Sequence, residues 1–320
     1  MNVQHYRRLL ATVLAMLSCK PPVRTTPAPA EAPAELAYLT GASVMIGAGD
    51  IAGCDNGGDA RTAMVVDSVL RADSVAKVTD AAFTLGDNAY QEGTATQFRN
   101  CFGATWGDST KRIMKKIHPT PGNHEYLSPG ADPYFDYFKA SAGNRGEGYY
   151  SYDVGAWHVV VLNSELVVNS GFSQAQRTQQ EEWLRKDLKD HSKPCTLAYW
   201  HHPRFSSGYH GSDARLTPIW QILYDNNVDL VLNGHDHDYE RFAPQNPLGI
   251  ADSTRGIYEI VVGTGGEELR GFGSHRVSNS LARIEGHFGV LKLTLGGGEF
   301  RSIFIDDAGR LWDPSRGKCH

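Results

Sequence analysis

The sequence predicts an α/β fold. Short apolar runs rich in β-branched residues, such as residues 228–232, have the length and composition of buried strands. They alternate with longer segments such as 59–72, where apolar residues recur every three or four positions, which is the period of a helix. Several of the apolar runs end in glycine followed by a polar residue. In open α/β sheets such strand ends carry the ligand site.

The first 18 residues have the pattern of an export signal. Arg7 and Arg8 form a basic start, and the apolar stretch from Leu9 to Leu17 is too short to cross a bilayer, which takes about 20 residues. Cys19 follows in a context that resembles a bacterial lipoprotein lipobox. Two outcomes stay open. Acylation of Cys19 would give a lipid-anchored periplasmic or cell-surface protein, and ordinary cleavage nearby would give a secreted one.

Residues 19–38 are rich in proline and alanine. This composition cannot build a core and is typical of an extended tether. We therefore expect a folded domain over residues 39–320. The lipid at Cys19 would be its only connection to a membrane.

The chain is mildly acidic, with a net charge of -5, and it has no basic runs. We therefore expect no nucleic-acid partner. Five cysteines become four if Cys19 is acylated, an even number that is consistent with an oxidising compartment. Four cysteines allow three connectivities, and the sequence does not choose among them. We favour Cys54–Cys101, because both cysteines lie in loops soon after a motif, and with it Cys195–Cys319.

The elements follow one another along the whole of the folded region. Predicted strands cover residues 44–48, 81–85, 117–121, 157–162, 195–200, 228–232, 257–262, 288–295 and 300–305. One predicted helix covers 59–72, another begins at a capping box of Ser173 and Gln176 and runs to Lys189, and a third covers 218–226. The glycine-rich segment 263–266 lacks the lysine of a phosphate-binding loop, so we expect a strand-end loop near the crevice.

Five of these strands end in a similar way. The motifs that follow them are Gly49-Asp50, Gly86-Asp87, Gly122-Asn123-His124, His201-His202-Pro203 and Gly234-His235-Asp236-His237. The glycines allow sharp turns, which direct the next polar side chains into the crevice above the sheet. Carboxylates, an amide oxygen and several imidazoles would meet there. This mixed oxygen and nitrogen set predicts two bound metal ions.

With these motifs the chain resembles the calcineurin-like metallophosphoesterases and, among them, the purple acid phosphatases. The similarity extends over nearly all of residues 44–305, and Tyr239-Glu240-Arg241 also resembles the purple acid phosphatase version. The resemblance implies a four-layer α/β/β/α sandwich with mixed sheets. It also implies an active site at the C-terminal ends of the strands.

The resemblance further implies the ligands of each ion. The first ion, which is ferric iron in the purple enzymes, would take Asp50, Tyr90 and His237. Asp87 is similar to the carboxylate that bridges both ions. The second ion would be divalent iron, zinc or manganese, and its ligands would be Asn123, His201 and His235.

Ala52 is a departure that favours the purple subfamily. Most metallophosphoesterases have a histidine two residues after the first aspartate, at the position of Ala52. Tyr90 stands where the purple enzymes supply a phenolate, which replaces the lost imidazole. An ionised phenolate is hard and anionic and therefore favours a trivalent ion over zinc. The alternative for Tyr90 is a half-buried aromatic residue near a loop.

The implied reaction is the hydrolysis of a small phosphate monoester by a hydroxide that the two metals generate from water. His124 resembles the family histidine that steadies the transition state or protonates the leaving oxygen. His210, the second candidate catalytic residue, follows His201 at a distance similar to that of a histidine in the plant enzymes, and a solvated loop histidine is the alternative. Two other functions stay open: a phosphodiesterase or nucleotide hydrolase on the same site, and a surface binding protein with a vestigial metal site.

Overall fold

The computed structural model describes residues 41–55 and 57–320. The predicted signal peptide and tether, with Cys19, lie outside these residues. The strands are β1 Ser43–Ala48, β2 Asp80–Leu85, β3 Ile117–Thr120, β4 Tyr150–Val154, β5 Trp157–Val161, β6 Cys195–Tyr199, β7 Leu230–Asn233, β8 Tyr239–Phe242, β9 Tyr258–Val262, β10 Ser280–Ile284, β11 Gly289–Leu295, β12 Glu299–Asp306 and β13 Leu311–Lys318. The α-helices are α1 Gly58–Ala76, α2 Ala95–Asn100, α3 Asp132–Phe138, α4 Glu165–Val168, α5 Gln174–Asp190 and α6 Thr217–Asp225.

The strands form two mixed sheets. The first sheet has the order β13-β12-β11-β1-β2-β3, in which β1, β2 and β3 are parallel and the other neighbours are antiparallel. The second has the order β10-β8-β9-β7-β6-β5-β4, with β5, β6, β7 and β9 parallel. Parallel neighbours end at the same edge of a sheet. The loops after β1, β2 and β3 therefore lie at one edge of the first sheet, and the loops after β6 and β7 lie at one edge of the second.

Apolar packing holds the two sheets face to face. Phe83 of the first sheet contacts Tyr199 of the second, with ring centroids 5.8 Å apart, and Trp157 contacts Phe300 at 5.9 Å. Helix α1 packs on the outer face of the first sheet, and helices α5 and α6 pack on the outer face of the second. Large buried areas of this kind stabilise a layered domain. The predicted four-layer α/β/β/α sandwich is confirmed.

All nine predicted strands and all three predicted helices are present. The capping box at the start of α5 is also present, since the Ser173 side chain accepts from the Gln176 backbone N–H. The sequence did not predict β4, β8, β10 and β13, nor the short helices α2, α3 and α4. Strand β13 is an edge strand with several polar residues and Pro314, so it lacks the apolar pattern of a buried strand.

Two disulfides connect separate parts of the fold. Cys54, in the loop after β1, is bonded to Cys101 at the end of α2. Cys195, at the start of β6, is bonded to Cys319 near the end of the chain, which joins the second sheet to the last strand of the first. Both favoured pairings are confirmed. No helix among the described residues is long and apolar enough for a bilayer crossing.

Candidate metal centre

Three of the predicted ligands have an unusual backbone conformation. Asp50, Asp87 and His235 have φ values of 60°, 50° and 70°, in the left-handed region that side chains with a Cβ rarely adopt. Hydrogen bonds between the loops stabilise these turns. Ile51 N donates to Asp87 O at 2.9 Å, and His235 N donates to the Asp50 carboxylate at 2.8 Å. Strained residues of this kind cluster at functional sites, where the surrounding structure holds them.

Two glycines of the motifs are needed where the loops approach each other. Gly86 has a φ of 84°, and a Cβ at this position would lie 2.7 Å from the His201 ring. At Gly122 a Cβ would lie 2.3 Å from Asp87 Oδ1. Real Cβ atoms do not come so close to other atoms. A larger residue at either position would therefore displace a predicted ligand.

The predicted ligands of the first ion lie together. The Tyr90 phenol oxygen is 2.9 Å from Asp50 Oδ1 and 3.0 Å from Asp87 Oδ2. It is also 3.4 Å from His237 Nε2, which lies 3.3 Å from Asp50 Oδ1. Four donor atoms from three separate strand ends thus surround one point.

The predicted ligands of the second ion form an adjoining set. His201 Nε2 is 3.1 Å from Asn123 Oδ1 and 3.2 Å from His235 Nδ1. It is also 3.2 Å from Asp87 Oδ2, the oxygen that belongs to the first set. The two sets therefore share one carboxylate oxygen, as expected of a bridging ligand.

His202 offers an alternative donor beside the second set. Its ligand atom lies within 4.8 Å of those of His201 and His235. However, His202 Nδ1 is 3.0 Å from the Ser164 hydroxyl and 3.6 Å from Glu165. These contacts favour a structural role for His202 next to the site.

Backbone carbonyls orient two of the imidazoles. His201 Nδ1 donates to Leu85 O at 2.7 Å, and His237 Nδ1 donates to Glu268 O. In both rings Nε2 therefore faces the carboxylates. Carbonyl partners of this kind fix the tautomer and orientation of histidines that bind metals.

Two of the predicted ligands, Tyr90 and His201, hold a proton in the absence of a metal ion. Burial and the carboxylates of Asp50 and Asp87 hold the pKa of the Tyr90 phenol well above 10, and its single O–H lies within hydrogen-bond distance of both acids. Burial opposes a charge on His201, but the neighbouring Asp87 carboxylate raises the pKa of His201 to about 10. A metal ion would displace both protons, as ligand binding to metals generally does.

The donor spacing fits two metal ions. Donors that share an ion at bond lengths of about 2.1 Å are about 3.0 Å apart at right angles and about 3.4 Å apart at tetrahedral angles. Neighbouring donors in both sets are 2.9–3.4 Å apart. Carboxylate, phenol, amide and imidazole donors also form a mixed set that suits borderline and hard transition-metal ions. The residues present therefore fit the predicted pair of ions.

Glu125 is a supporting residue to which sequence reasoning gave no role. Its buried carboxylate accepts backbone N–H groups from two loops, at 2.8 Å from Gly122, 3.0 Å from Asp87, 2.8 Å from Asn88 and 3.3 Å from Ala89. It therefore ties the loop after β3 to the loop that carries the shared carboxylate. The available signal was its place directly after Asn123-His124 in a motif.

His124 lies beside the first set and is not part of it. Its backbone N–H donates to Asp87 Oδ1 at 2.9 Å, and its Nε2 is 3.8 Å from Asp87 Oδ2. Its ring packs on Tyr90 with centroids 4.3 Å apart, and its side chain is 23% exposed. His124 thus borders both the donor cluster and the open crevice.

His210 borders the second set. Its ring lies 4.2 Å from the His235 ring. Its backbone N–H donates to Asp236 Oδ1 at 2.6 Å, and its Nε2 accepts from Arg270 Nη1 at 2.6 Å. The structure therefore brings all nine residues predicted for the site into one cluster.

The loop after β9 also lines the site, as expected from its glycines. Gly265 N donates to Gly49 O at 2.8 Å, and Glu267 N donates to Asp50 O at 3.0 Å. Farther along, Arg270 N donates to His237 O at 3.0 Å. Sequence reasoning missed Glu267 and Arg270, because no motif marks them and only the folded loop places them here.

Open pockets adjoin the donor cluster on two sides. One has a volume of about 340 Å³ and includes His202, His210, Arg215 and His235 in its lining. The other has a volume of about 170 Å³ and is lined by neutral and acidic groups, namely Gly53, Cys54, Asp55, Tyr90, Gln91, Gln97 and Glu267. Small molecules therefore have access to both ends of the cluster.

Two mixed sheets that present oxygen donors and imidazoles at facing strand ends define the class of the metallophosphoesterases. The chain belongs to the calcineurin-like phosphoesterase family, whose family model matches residues 46–239.

Within this family, the chain is similar to several acid phosphatases. It is 28% identical over 151 residues to purple acid phosphatase 15 of Arabidopsis thaliana, covering 42% of this chain and 27% of that protein. It is 25% identical over 236 residues to human acid phosphatase type 7, covering 63% of this chain and 51% of that protein. The predicted resemblance to purple acid phosphatases is confirmed. The chain spans about half or less of the length of these relatives.

A solved structure shares the fold. The purple acid phosphatase PPD1 from yellow lupin (Lupinus luteus) seeds matches with a TM-score of 0.69 and 20% sequence identity. The match covers 87% of this chain and 54% of that chain. The similarity thus includes nearly all of the described sandwich.

Proposed function

We propose that this chain is an exported dimetal phosphatase that hydrolyses phosphate monoesters. One observation carries the proposal: two sets of metal donors share a single oxygen, Asp87 Oδ2, and open pockets adjoin Tyr90 of one set and His235 of the other. Family membership and the acid phosphatases among the relatives support the same reaction class. The complete donor set argues against a vestigial site, because loss of one ligand would be expected there.

Each donor set would bind one of the two ions. Asp50, Tyr90 and His237 would hold the first ion and Asp87 both, and Asn123, His201 and His235 would hold the second. By the resemblance, the first ion is ferric iron and the second is iron, zinc or manganese. When bound, two such ions polarise the phosphoryl oxygens and lower the pKa of water to supply the nucleophile.

We expect His124 to move a proton. Its Nδ1 is hydrogen-bonded to Gln91 O, which leaves Nε2, 3.8 Å from Asp87 Oδ2, as the nitrogen available to a substrate. A protonated Nε2 would donate to the oxygen of the departing alcohol. The backbone contact to Asp87 and the packing on Tyr90 hold the ring in position. General acid catalysis by such a group is worth about 10²–10⁴-fold.

A combined metal and activity measurement tests the proposal. The purified protein is expected to contain two metal ions per chain and to hydrolyse a chromogenic phosphate monoester. The diester analogue, assayed in parallel, is expected to react more slowly. A protein that binds both metals and hydrolyses no phosphate ester would be a binding protein instead. Faster hydrolysis of the diester would favour the phosphodiesterase alternative.

Export with a lipid anchor at Cys19 is the second part of the proposal. The basic and apolar start of the chain and the proline-rich tether support it. The mature protein is expected to partition into detergent, and Cys19→Ser is expected to move it to the aqueous phase. If the variant partitions as the wild type does, the lipid anchor is excluded. An aqueous wild type would indicate ordinary secretion.

A further inference from the structure

Arg270 brings a positive charge to the side of the centre that holds His235 and His237. Its backbone N–H donates to His237 O at 3.0 Å. Its guanidinium donates from Nη1 to His210 Nε2 at 2.6 Å, and the His210 ring lies 4.2 Å from that of His235. One residue therefore contacts both the main chain of one predicted ligand and the ring stacked on another.

The charge of Arg270 is weakly compensated. Its ion-pair partner among the described residues is Glu268 at 3.8 Å, whose side chain is 71% exposed. Exposed pairs at this distance contribute little. By contrast, Arg241 forms a two-point ion pair with Asp313 at 2.6 and 2.8 Å. The Arg270 guanidinium also lies 5.2 Å from the Tyr209 ring, but among the described residues no carboxylate approaches it as closely as Asp313 approaches Arg241.

The guanidinium also has unused hydrogen-bond donors. An arginine side chain carries five N–H groups in a plane. Among the described residues, one nitrogen of the Arg270 guanidinium donates a hydrogen bond, the one to His210. The side chain is 29% exposed, and its partner His210 lines the open pocket next to His235.

This combination suits a phosphate monoester. At neutral pH a monoester carries nearly two negative charges, because its second pKa is about 6, whereas a diester carries one. Arginine binds phosphate oxygens through two parallel charge-assisted hydrogen bonds. A partly buried cation therefore favours the ligand with the greater charge and the larger number of free oxygens.

We propose that Arg270 binds the phosphoryl group of the substrate and makes the site selective for phosphate monoesters over diesters. This inference rests on the proposed phosphatase function and assigns the residue that decides its substrate class. His210, in contact with both Arg270 and the His235 ring, acts as a positioning residue for the guanidinium.

Kinetics of Arg270→Gln on paired substrates tests the proposal. The metal-loaded protein is assayed at pH 7 with 4-nitrophenyl phosphate and bis(4-nitrophenyl) phosphate. The monoester kcat/KM is expected to fall about 10- to 100-fold, the range for a hydrogen bond to a charged group, mainly through KM. The diester value is expected to stay within about threefold. Arg270→Lys keeps the charge and is expected to recover part of the loss.

Arg283→Gln is the matched control. Arg283 lies in β10 with its guanidinium 5.0 Å from the Phe272 ring, and within residues 41–55 and 57–320 its side chain contacts none of the predicted ligands. Its removal is expected to leave the ratio of monoester to diester activity unchanged. An equal change in Arg283→Gln and Arg270→Gln would mean that general surface charge, and not Arg270, sets the selectivity.

Binding of inorganic phosphate gives a readout that does not depend on turnover. Phosphate should raise the unfolding temperature of the metal-loaded wild type by mass action, and Arg270→Gln should need about 10- to 100-fold more phosphate for the same rise. Equal losses on monoester and diester would overturn the proposal and make Arg270 a positioning residue only, as would unchanged phosphate binding. Absence of all esterase activity would refute the phosphatase proposal, while phosphate binding would still decide the role of Arg270.

Discussion

The two sheets make different contributions to the metal centre. The first sheet supplies the oxygen donors, from the loops after β1, β2 and β3, namely Asp50, Asp87, Tyr90 and Asn123. The second sheet supplies the nitrogen donors, from the loops after β6 and β7, namely His201, His235 and His237. Each predicted ion takes donors from both sheets. Neither sheet by itself holds a complete site.

We call the donors from the first sheet the oxygen half of the centre and the donors from the second sheet its nitrogen half. Contacts between the two halves orient their side chains. In the nitrogen half, His201 donates to Leu85 O of the first sheet, and His235 N donates to Asp50 of the oxygen half. In the oxygen half, Asp87 and Tyr90 interact with His201 and His237. The type of donor atom, oxygen or nitrogen, thus depends on which sheet the loop belongs to. The distances between the donor atoms depend on how the two sheets dock.

Asp87→Asn is expected to have the largest effect, because this side chain belongs to both donor sets. Loss of the shared carboxylate should release at least one ion, and activity should fall by more than about 10⁴-fold, beyond the loss of a single proton-transfer group. Metal content and phosphatase activity are the measurements. Asp190→Asn removes an exposed carboxylate paired with Lys186 and is expected to change neither. Retention of both ions in Asp87→Asn would contradict this view of the centre, since each half would then bind its ion without the shared carboxylate.

His124→Ala distinguishes proton transfer from metal binding by the two halves. Both metals should remain, because His124 lies beside the donor sets and is not in them. The rate on an alkyl phosphate should fall by about 10²–10⁴-fold, with a much smaller loss on a nitrophenyl phosphate, whose leaving group needs no proton. Equal losses on both substrates would make His124 a positioning residue. Loss of a metal would show that the ligand assignment is wrong.

Glu125→Gln tests how the oxygen half is held. Both carboxylate oxygens accept hydrogen bonds from backbone N–H groups. In the variant, whichever way the amide is turned, its NH2 group would face backbone N–H groups that also need an acceptor. The free energy of unfolding should fall by about 1–3 kcal/mol. Metal affinity should fall by about 10–100-fold, as for other residues that orient ligands. Glu147→Gln is the control, at a partly exposed carboxylate that accepts side-chain hydrogen bonds from Asn144 and Gln179. Unchanged metal affinity in Glu125→Gln would contradict this role.

Tyr90→Phe sharpens the difference between the two ions. By the resemblance, a tyrosinate on ferric iron gives a visible charge-transfer band, so the iron-loaded wild type should be coloured. The variant should lose the band and keep its other donors. Absorption spectra with metal analysis provide the measurement. A colourless wild type that is fully active with only zinc or manganese would exclude the ferric assignment and leave the phosphoesterase assignment standing.

His158 provides a pH test away from the metal centre. Burial opposes its charge, but hydrogen bonds to Asp187 at 2.8 Å and Asp153 at 3.0 Å outweigh it and raise the pKa of His158 above 6.5. The folded state therefore binds the proton more tightly. The stabilisation is complete below about pH 6.5 and is lost as pH rises through the folded pKa. Denaturant unfolding of wild type and His158→Gln should differ most below pH 6.5 and converge above it.

Two further groups face His158. The His191 ring stacks on it at 4.2 Å, and burial together with the charge of His158 lowers the pKa of His191. Lys193 lies 3.5 Å from Asp153. His191 therefore makes stability rise with pH up to about 6.5, opposite to the effect of His158. A stability difference between wild type and His158→Gln that does not change with pH would contradict the assignment.

Much of this protein can be predicted from local sequence. Apolar runs and glycine turns predict β1, β2, β3, β6 and β7, because a buried strand and a sharp turn are local events. The same motifs contain every residue of both donor sets except Tyr90, which follows Asp87 three residues later. The separation into oxygen and nitrogen donors is thus already present in the order of the motifs.

Only the tertiary structure decides how these parts combine. The docking of the two sheets brings Asp87 Oδ2 within 3.2 Å of a histidine nitrogen from the other sheet. The parallel pairing of β2 and β3 in the first sheet places Glu125 against the Asp87 loop. Within the second sheet, the loops after β6 and β9 bring Arg270 against His210, although they are 60 positions apart in the chain. Such contacts depend on long-range packing, which leaves no pattern within a short segment. The sequence by itself therefore determined the kind of chemistry, and the folded structure decided which supporting residues take part in it.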